Sequence, residues 1–156
     1  MENLDPNVVR YNFEYERKVR VAFIGAGGHS FRNVYPTFQY APVDLVAVCD
    51  LDERRATAFA RQFGALASYT DHREMLTREK PDAVFIVTTY DEEGRPQATR
   101  LALDALEAGC HVWMEKPTAA SVAEVERLIE TSTRAGKYVM TGLKKTFFPS
   151  IVRAKE

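Results

Sequence analysis

Val19-Arg20-Val21-Ala22-Phe23-Ile24-Gly25-Ala26-Gly27-Gly28-His29-Ser30 decides the fold. A short apolar run enters a glycine-rich turn, and a helical pattern follows. That order, strand then glycines then helix, is what a loop needs to seat the phosphates of a nucleotide. Gly25 permits the tight turn. Gly27 lets backbone approach a pyrophosphate with no Cβ in the way. Ser30 stands where the third glycine of Gly-x-Gly-x-x-Gly is usual and is small enough for close helix–strand packing. Free N–H groups at the helix start are then expected to face the phosphate, with a helix-dipole contribution of about 0.3–1 kcal/mol. A P-loop is excluded, because no Gly-Lys-Ser/Thr follows the glycines.

Working outward, the same alternation repeats. Apolar runs predict strands at 19–24, 45–50, 66–69, 83–88, 111–114 and 138–142. Leu45-Val46-Ala47-Val48-Cys49 and Ala83-Val84-Phe85-Ile86-Val87 are apolar without a break. Such runs suit a parallel sheet covered by helices on both faces. Between them lie helix signals. Asp52 precedes Ala56, Phe59, Ala60 and Phe63, and Gly64 can stop that helix. Asp71 with Glu74 reads as an N-cap with an acidic third residue, closed by Pro81. Leu101, Ala102, Ala105 and Leu106 form a stripe ended by Gly109. Ser121-Val122-Ala123-Glu124 is a capping box, with Val122, Val125, Leu128 and Ile129 expected as the buried face and Gly136 as terminator. Pro36 is expected to kink or restart the first helix, 29–39. The fold class is α/β, a doubly wound parallel sheet of six main strands.

Composition narrows the partners. The 156 residues are 46% hydrophobic and 28% charged, with a net charge of −1, so a folded domain is expected rather than a disordered chain. With no basic block, nucleic acid is not an expected partner. No apolar stretch nears the roughly 20 residues of a membrane span, so no membrane is expected either. Residues 1–17 read as a polar extension. Cys49 and Cys110 are expected as buried reduced thiols, which points to the cytoplasm. His29, His72 and His111 are too scattered to suggest a metal.

Two further positions carry chemistry. Asp50 closes the second strand, where a carboxylate can accept hydrogen bonds from ribose hydroxyls and repel a 2′-phosphate. NAD is therefore expected over NADP, although Arg54 and Arg55 could reach a 2′-phosphate. Glu115-Lys116-Pro117 follows the fifth strand, His111-Val112-Trp113-Met114, and places a lysine at a strand end, where such sheets hold their ligands.

With Pro81-Asp82-Ala83-Val84 and Ala105-Leu106-Glu107-Ala108-Gly109, these motifs make residues 18–156 resemble the glucose–fructose oxidoreductase/inositol dehydrogenase (Gfo/Idh/MocA) family. The stretch from Ala105-Leu106-Glu107-Ala108-Gly109 to Glu115-Lys116-Pro117 is the most specific part. The resemblance implies a Rossmann domain over 18–146, and at 147–156 the opening of a second, α/β domain that supplies a catalytic histidine and most of the substrate pocket. The chain is expected to be a truncated or stand-alone cofactor domain, incomplete as an active site. The implied activity is NAD(P)-linked hydride transfer to or from a hydroxyl of a sugar, cyclitol or similar small molecule, in a homo-oligomer.

By resemblance, Gly25, Ala26, Gly27, Gly28, His29 and Ser30 line the pyrophosphate. Asp50, with Leu51 and Arg54 near it, serves the adenosine ribose. Thr88 and Thr89 serve the central part of the cofactor, Glu115 the nicotinamide ribose, and Lys116 the reacting hydroxyl. Three departures stand out. The loop Tyr90-Asp91-Glu92-Glu93-Gly94-Arg95-Pro96 is longer and more acidic than usual, and the family's histidine at the next helix start falls near Ala98. Thr146 and Phe148 occupy positions where an arginine and an Asp or Asn are common. A non-catalytic dinucleotide sensor stays open as an alternative. A methyltransferase using the same loop is separable by binding of S-adenosylmethionine.

Overall fold

A computed structural model describes residues 15–155; residues 1–14, most of the expected polar extension, lie outside them. Six parallel strands form one sheet: β1 (Val19–Ile24), β2 (Val43–Cys49), β3 (Ala67–Tyr69), β4 (Ala83–Ile86), β5 (His111–Met114) and β6 (Val139–Thr141). Their order is β3-β2-β1-β4-β5-β6. The chain thus winds outward from β1 in one direction, returns, and winds out in the other. The crevice between β1 and β4 is the switch point where such sheets bind ligands. The expected strands are all present, but β2 and β4 end before Asp50 and Val87.

Side chains alternate across the sheet with a period of two. Ala22, Ile24, Val84, Ile86, Val112 and Met114 point to one face and pack with Met75, Leu101, Ala102, Ala105 and Leu106. The opposite face is aromatic. Phe23, Phe85 and Trp113 share one register across β1, β4 and β5. Their rings follow one another at 6.0 and 5.2 Å. Tyr35 stacks on Phe23 at 4.0 Å and on Phe63 at 4.5 Å. Burying a ring of this size contributes about 1.5–3 kcal/mol.

The connecting helices are α1 (Glu53–Phe63), α2 (His72–Glu79), α3 (Ala98–Glu107) and α4 (Val122–Ala135). Their ends are set by local chemistry. The Asp52 carboxylate accepts from the amides of Arg54 and Arg55, and that of Asp71 from the amides of Arg73 and Glu74. Ser121 Oγ accepts from the Glu124 amide, while the Glu124 carboxylate accepts from Ala120 N–H rather than from the Ser121 amide. Each cap stabilises its helix by about 1 kcal/mol. Gly64 (φ 76°) and Gly136 (φ 62°) close α1 and α4 in the left-handed conformation.

The helix after the glycines restarts at the proline, as expected: a π turn over Ser30–Val34 gives way to a 3-10 helix over Tyr35–Tyr40. Pro36 has no N–H to continue the ladder, so the chain restarts there, and only a short dipole backs the loop. The expected buried face of α4 is corrected: Leu128 and Thr131 are buried, but Val122, Val125 and Ile129 are 75%, 38% and 60% exposed. This helix lies beside α3 and the three-residue β6 at the sheet's edge, so most of its apolar face has nothing to pack on.

Past β6 the chain makes a 3-10 turn (Lys144–Phe147) and a short helix, α5 (Pro149–Arg153). Met140, Leu143, Phe147, Phe148, Ile151 and Val152 are all exposed. Contiguous bare apolar surface favours association. Light scattering over a concentration series is expected to show self-association of these 156 residues. A strictly monomeric species at high concentration contradicts it.

Candidate cofactor cleft

Gly25 sits at the end of β1 with φ +110°. Its N–H donates to Cys49 O at 2.8 Å, and Val87 N–H donates to Ile24 O at 2.9 Å. A Cβ on Gly25 would lie 1.9 Å from Val87 O. The turn therefore passes against the backbone leaving β4, and only glycine fits. Gly27 differs: a Cβ there meets nothing within 4 Å and would project into open space. What that position keeps clear lies outside the protein's own packing.

The loop opens on a cleft of about 330 Å³ at the carboxyl ends of the strands. Gly25, Gly27, Gly28, His29 and Ser30 form one wall, Asp50, Leu51 and Arg55 a second, and Thr88 and Thr89 a third. An adjoining recess is lined by Glu115, Lys116 and Pro117, and shares Thr88, Thr89 and Gln97 with the cleft. Sequence positions from 25 to 116 thus line a cleft and the recess beside it. Ala26 is buried behind the loop. Arg54 does not line the cleft; Arg55 does.

Asp50 is the organising carboxylate. One oxygen accepts from Ala26 N–H at 2.7 Å. The other accepts from Asp52 N–H at 2.9 Å and pairs with the Arg55 guanidinium at 3.0 Å. Its side chain is only 10% exposed, so these donors offset the cost of desolvating a charge. One lone pair on the Ala26-bound oxygen remains for a further donor.

At the other end, Glu115 Oε1 lies 3.1 Å from His29 Nε2, and Oε2 accepts from Lys116 N–H at 3.0 Å. The Lys116–Pro117 bond is cis. Lys116 is exposed, and among the described residues no carboxylate pairs with its ammonium. Beside the cleft, the acidic hairpin closes through Arg95, which pairs with Asp91 and Glu93.

Sequence reasoning passed over several groups. Thr70, His72, Gln97 and Arg100 also line the cleft. His72 bonds Asp104 at 2.7 Å, and Arg73 bonds the same carboxylate at 3.1 Å, tying α2 to α3. Burial opposes the charge on Asp104, but the hydrogen bonds from His72 and Arg73 outweigh it and hold the carboxyl below its ordinary range. Cys49 also touches the cleft, but burial pushes its thiol up to about 12, so it stays protonated and inert.

Residues present fit a dinucleotide. Ser30 Oγ and Thr88 Oγ1 are buried without a partner, and both residues line the cleft. Such atoms are costly unless something bonds them. With the bare backbone at Gly27 and a partly satisfied carboxylate at Asp50, the cleft offers donors for phosphates and an acceptor for hydroxyls. Among the described residues, no helix is long and apolar enough to cross a membrane, and no group of three or more His, Cys, Asp or Glu is placed to hold a metal.

A nucleotide-binding α/β domain with a glycine loop and a strand-end lysine is the class that this geometry defines. The match to a family model is direct: residues 19–143 fit the Gfo/Idh/MocA oxidoreductase family, NAD-binding Rossmann fold. The chain belongs to this family of NAD-binding oxidoreductases. It is 34% identical over 125 residues to D-glucoside 3-dehydrogenase of Escherichia coli, covering 76% of this chain and 33% of that protein. It is 30% identical over 132 residues to glycosyl hydrolase family 109 protein 2 of Akkermansia muciniphila, covering 79% of this chain and 27% of that protein. Among solved structures, GenD2 from gentamicin A biosynthesis in complex with NAD matches at a TM-score of 0.78 and 27% identity, over 94% of this chain and 40% of that one. The chain thus spans about a quarter to two fifths of these relatives' length.

The two glycines are expected to behave differently. Gly25→Ala meets Val87 O at a positive φ and is expected to lower unfolding stability by about 2–4 kcal/mol. Gly27→Ala is expected to leave stability within about 1 kcal/mol, yet to weaken dinucleotide binding at least about tenfold. Chemical denaturation and cofactor titration of both variants test this. Equal stability losses contradict it.

Proposed function

We propose that these residues form the NAD-binding half of a dehydrogenase acting on a hydroxyl of a sugar, cyclitol or similar small molecule. The observation that carries the reading is that the glycine loop and Asp50 line one cleft at the switch point of the sheet, and Glu115–Lys116 a recess that adjoins it through Thr88, Thr89 and Gln97. In this reading the backbone of Gly25, Ala26, Gly27, Gly28 and His29, with the Ser30 hydroxyl, holds the pyrophosphate. Asp50 accepts from the adenosine ribose, and Leu51 flanks it. Thr88 and Thr89 hold the central part of the cofactor. Glu115 accepts from the nicotinamide ribose. Bound nicotinamide supplies the hydride acceptor. Lys116 holds the reacting hydroxyl by a hydrogen bond, and takes its proton only as the neutral amine, the form that exclusion of water around the site favours.

NAD is preferred to NADP, because Asp50 repels a 2′-phosphate. Arg54, exposed and outside the cleft lining, has no part in this choice; Arg55 is the competing cation, already engaged by Asp50 and Asp52. A sugar-like substrate agrees with the relative named as a D-glucoside dehydrogenase. A cytoplasmic setting agrees with two buried, unpaired cysteines. The apolar surface on α4 and around α5 suits a homo-oligomer or a further domain.

Isothermal titration with NAD(H) and NADP(H) is expected to give tighter binding of NAD(H). Asp50→Ala is expected to weaken NAD by about 1–3 kcal/mol, the cost of a lost hydrogen bond to a charged group. Tighter NADP(H) binding assigns the choice to Arg55 instead.

On its own, the 156-residue chain is expected to bind cofactor yet turn over no polyol or sugar at ordinary enzyme rates. Lys116 and Pro117 are exposed, so the recess stays wet. Water weakens the lysine's hold on an alcohol, and an unpositioned carbon forgoes much of the roughly 7–11 kcal/mol that orientation can supply. A substrate screen following cofactor absorbance, beside Lys116→Ala, tests this. Turnover that depends on Lys116 contradicts it.

A further inference from the structure

One contact in the cleft crosses from the glycine loop to the lysine strand. His29 Nε2 and Glu115 Oε1 are 3.1 Å apart, although 86 residues separate them in sequence. The proton's place follows from their neighbour. Asn33 Nδ2 lies 3.3 Å from His29 O. A carbonyl only accepts, so this contact orients the amide with its NH2 toward His29. The same nitrogen lies 3.2 Å from His29 Nδ1. It donates there too, so Nδ1 carries no proton. The ring's proton is therefore on Nε2 and points at Glu115.

Glu115 is held from three sides. His29 donates to Oε1, Lys116 N–H donates to Oε2, and Gly142 backs the carboxylate, because a Cβ there would lie 3.4 Å from Oε1 and 2.7 Å from Trp113. With one donor on each oxygen, one lone pair per oxygen stays open. Two acceptors side by side on a fixed carboxylate match two neighbouring hydroxyls, as on a ribose.

We propose that His29 is a positioning residue: with its proton placed by Asn33, it fixes the Glu115 carboxylate to receive the second ribose of the dinucleotide. This rests on the dinucleotide reading above and deepens it. The histidine acts through Glu115, so its loss is felt only by ligands that reach Glu115.

Three ligands of increasing length separate the outcomes: ADP, ADP-ribose and NAD. His29→Leu is expected to weaken ADP-ribose and NAD about tenfold more than ADP, the loss of one hydrogen bond to a charged group that ADP does not reach. His29→Gln, whose amide can still donate to Glu115, is expected to recover most of that loss. In a Glu115→Ala background, where no acceptor is left for Nε2, His29→Leu is expected to add nothing. Independently of any ligand, 15N NMR of the His29 imidazole is expected to place the proton on Nε2. Equal losses for ADP and ADP-ribose, additive losses in the double variant, or a proton on Nδ1 overturn the proposal. Wild-type protein that binds none of the three overturns the dinucleotide reading itself, whatever the imidazole result.

Discussion

The approach of Gly25 to Val87 is the constraint on which the rest depends. Two backbone segments, the exit of β1 and the exit of β4, lie closer than any side chain permits: a Cβ would sit 1.9 Å from the Val87 carbonyl. That closeness brings the glycine loop directly beside Thr88 and Thr89. It also places Ala26 N–H where Asp50, leaving β2, can accept it at 2.7 Å. Three strand ends are thereby locked together at the switch point, and β5 delivers Glu115 and Lys116 to its side. Below this junction the Phe23, Phe85 and Trp113 ladder holds β1, β4 and β5 in register.

Charge is distributed along the cleft with similar economy. Three half-buried carboxylates each meet donors from another element: Asp50 from the loop and α1, Glu115 from the loop and its own strand end, Asp104 from α2. A desolvated carboxylate without donors is expensive, so these contacts stabilise the fold and orient acceptors together. Lys116 is the contrast. It is exposed and unpaired with any carboxylate among the described residues, a cation placed at the mouth of the recess rather than neutralised within it.

Much of this was legible before any coordinates. Unbroken apolar runs announced parallel strands, because both faces of such a sheet are covered. Asp52, Asp71, Ser121, Gly64 and Gly136 announced helix ends, because capping is local. The glycine loop, Asp50 and Glu115-Lys116-Pro117 announced the cleft. What failed needed tertiary information. Periodicity identifies the apolar side of α4 but not whether anything covers it, so Val122 and Ile129 were misplaced. Arg55 rather than Arg54 faces Asp50, which helix phase relative to the Asp52 cap could have suggested, since Arg55 also reaches Asp52 at i,i+3. The His29–Glu115 and His72–Asp104 contacts join distant positions, and no spacing rule reveals those.

The most direct test of the central claim uses Trp113, the only tryptophan, two residues before Glu115 on the strand that borders the cleft. Reduced nicotinamide bound there lies within energy-transfer range of the indole. Titration with NADH is predicted to quench Trp113 fluorescence, to produce sensitised nicotinamide emission, and to be reversed by excess NAD. The Gly27→Ala variant is predicted to shift the titration to higher NADH while remaining folded. NADH titration that leaves Trp113 unchanged in the folded wild-type chain contradicts the account.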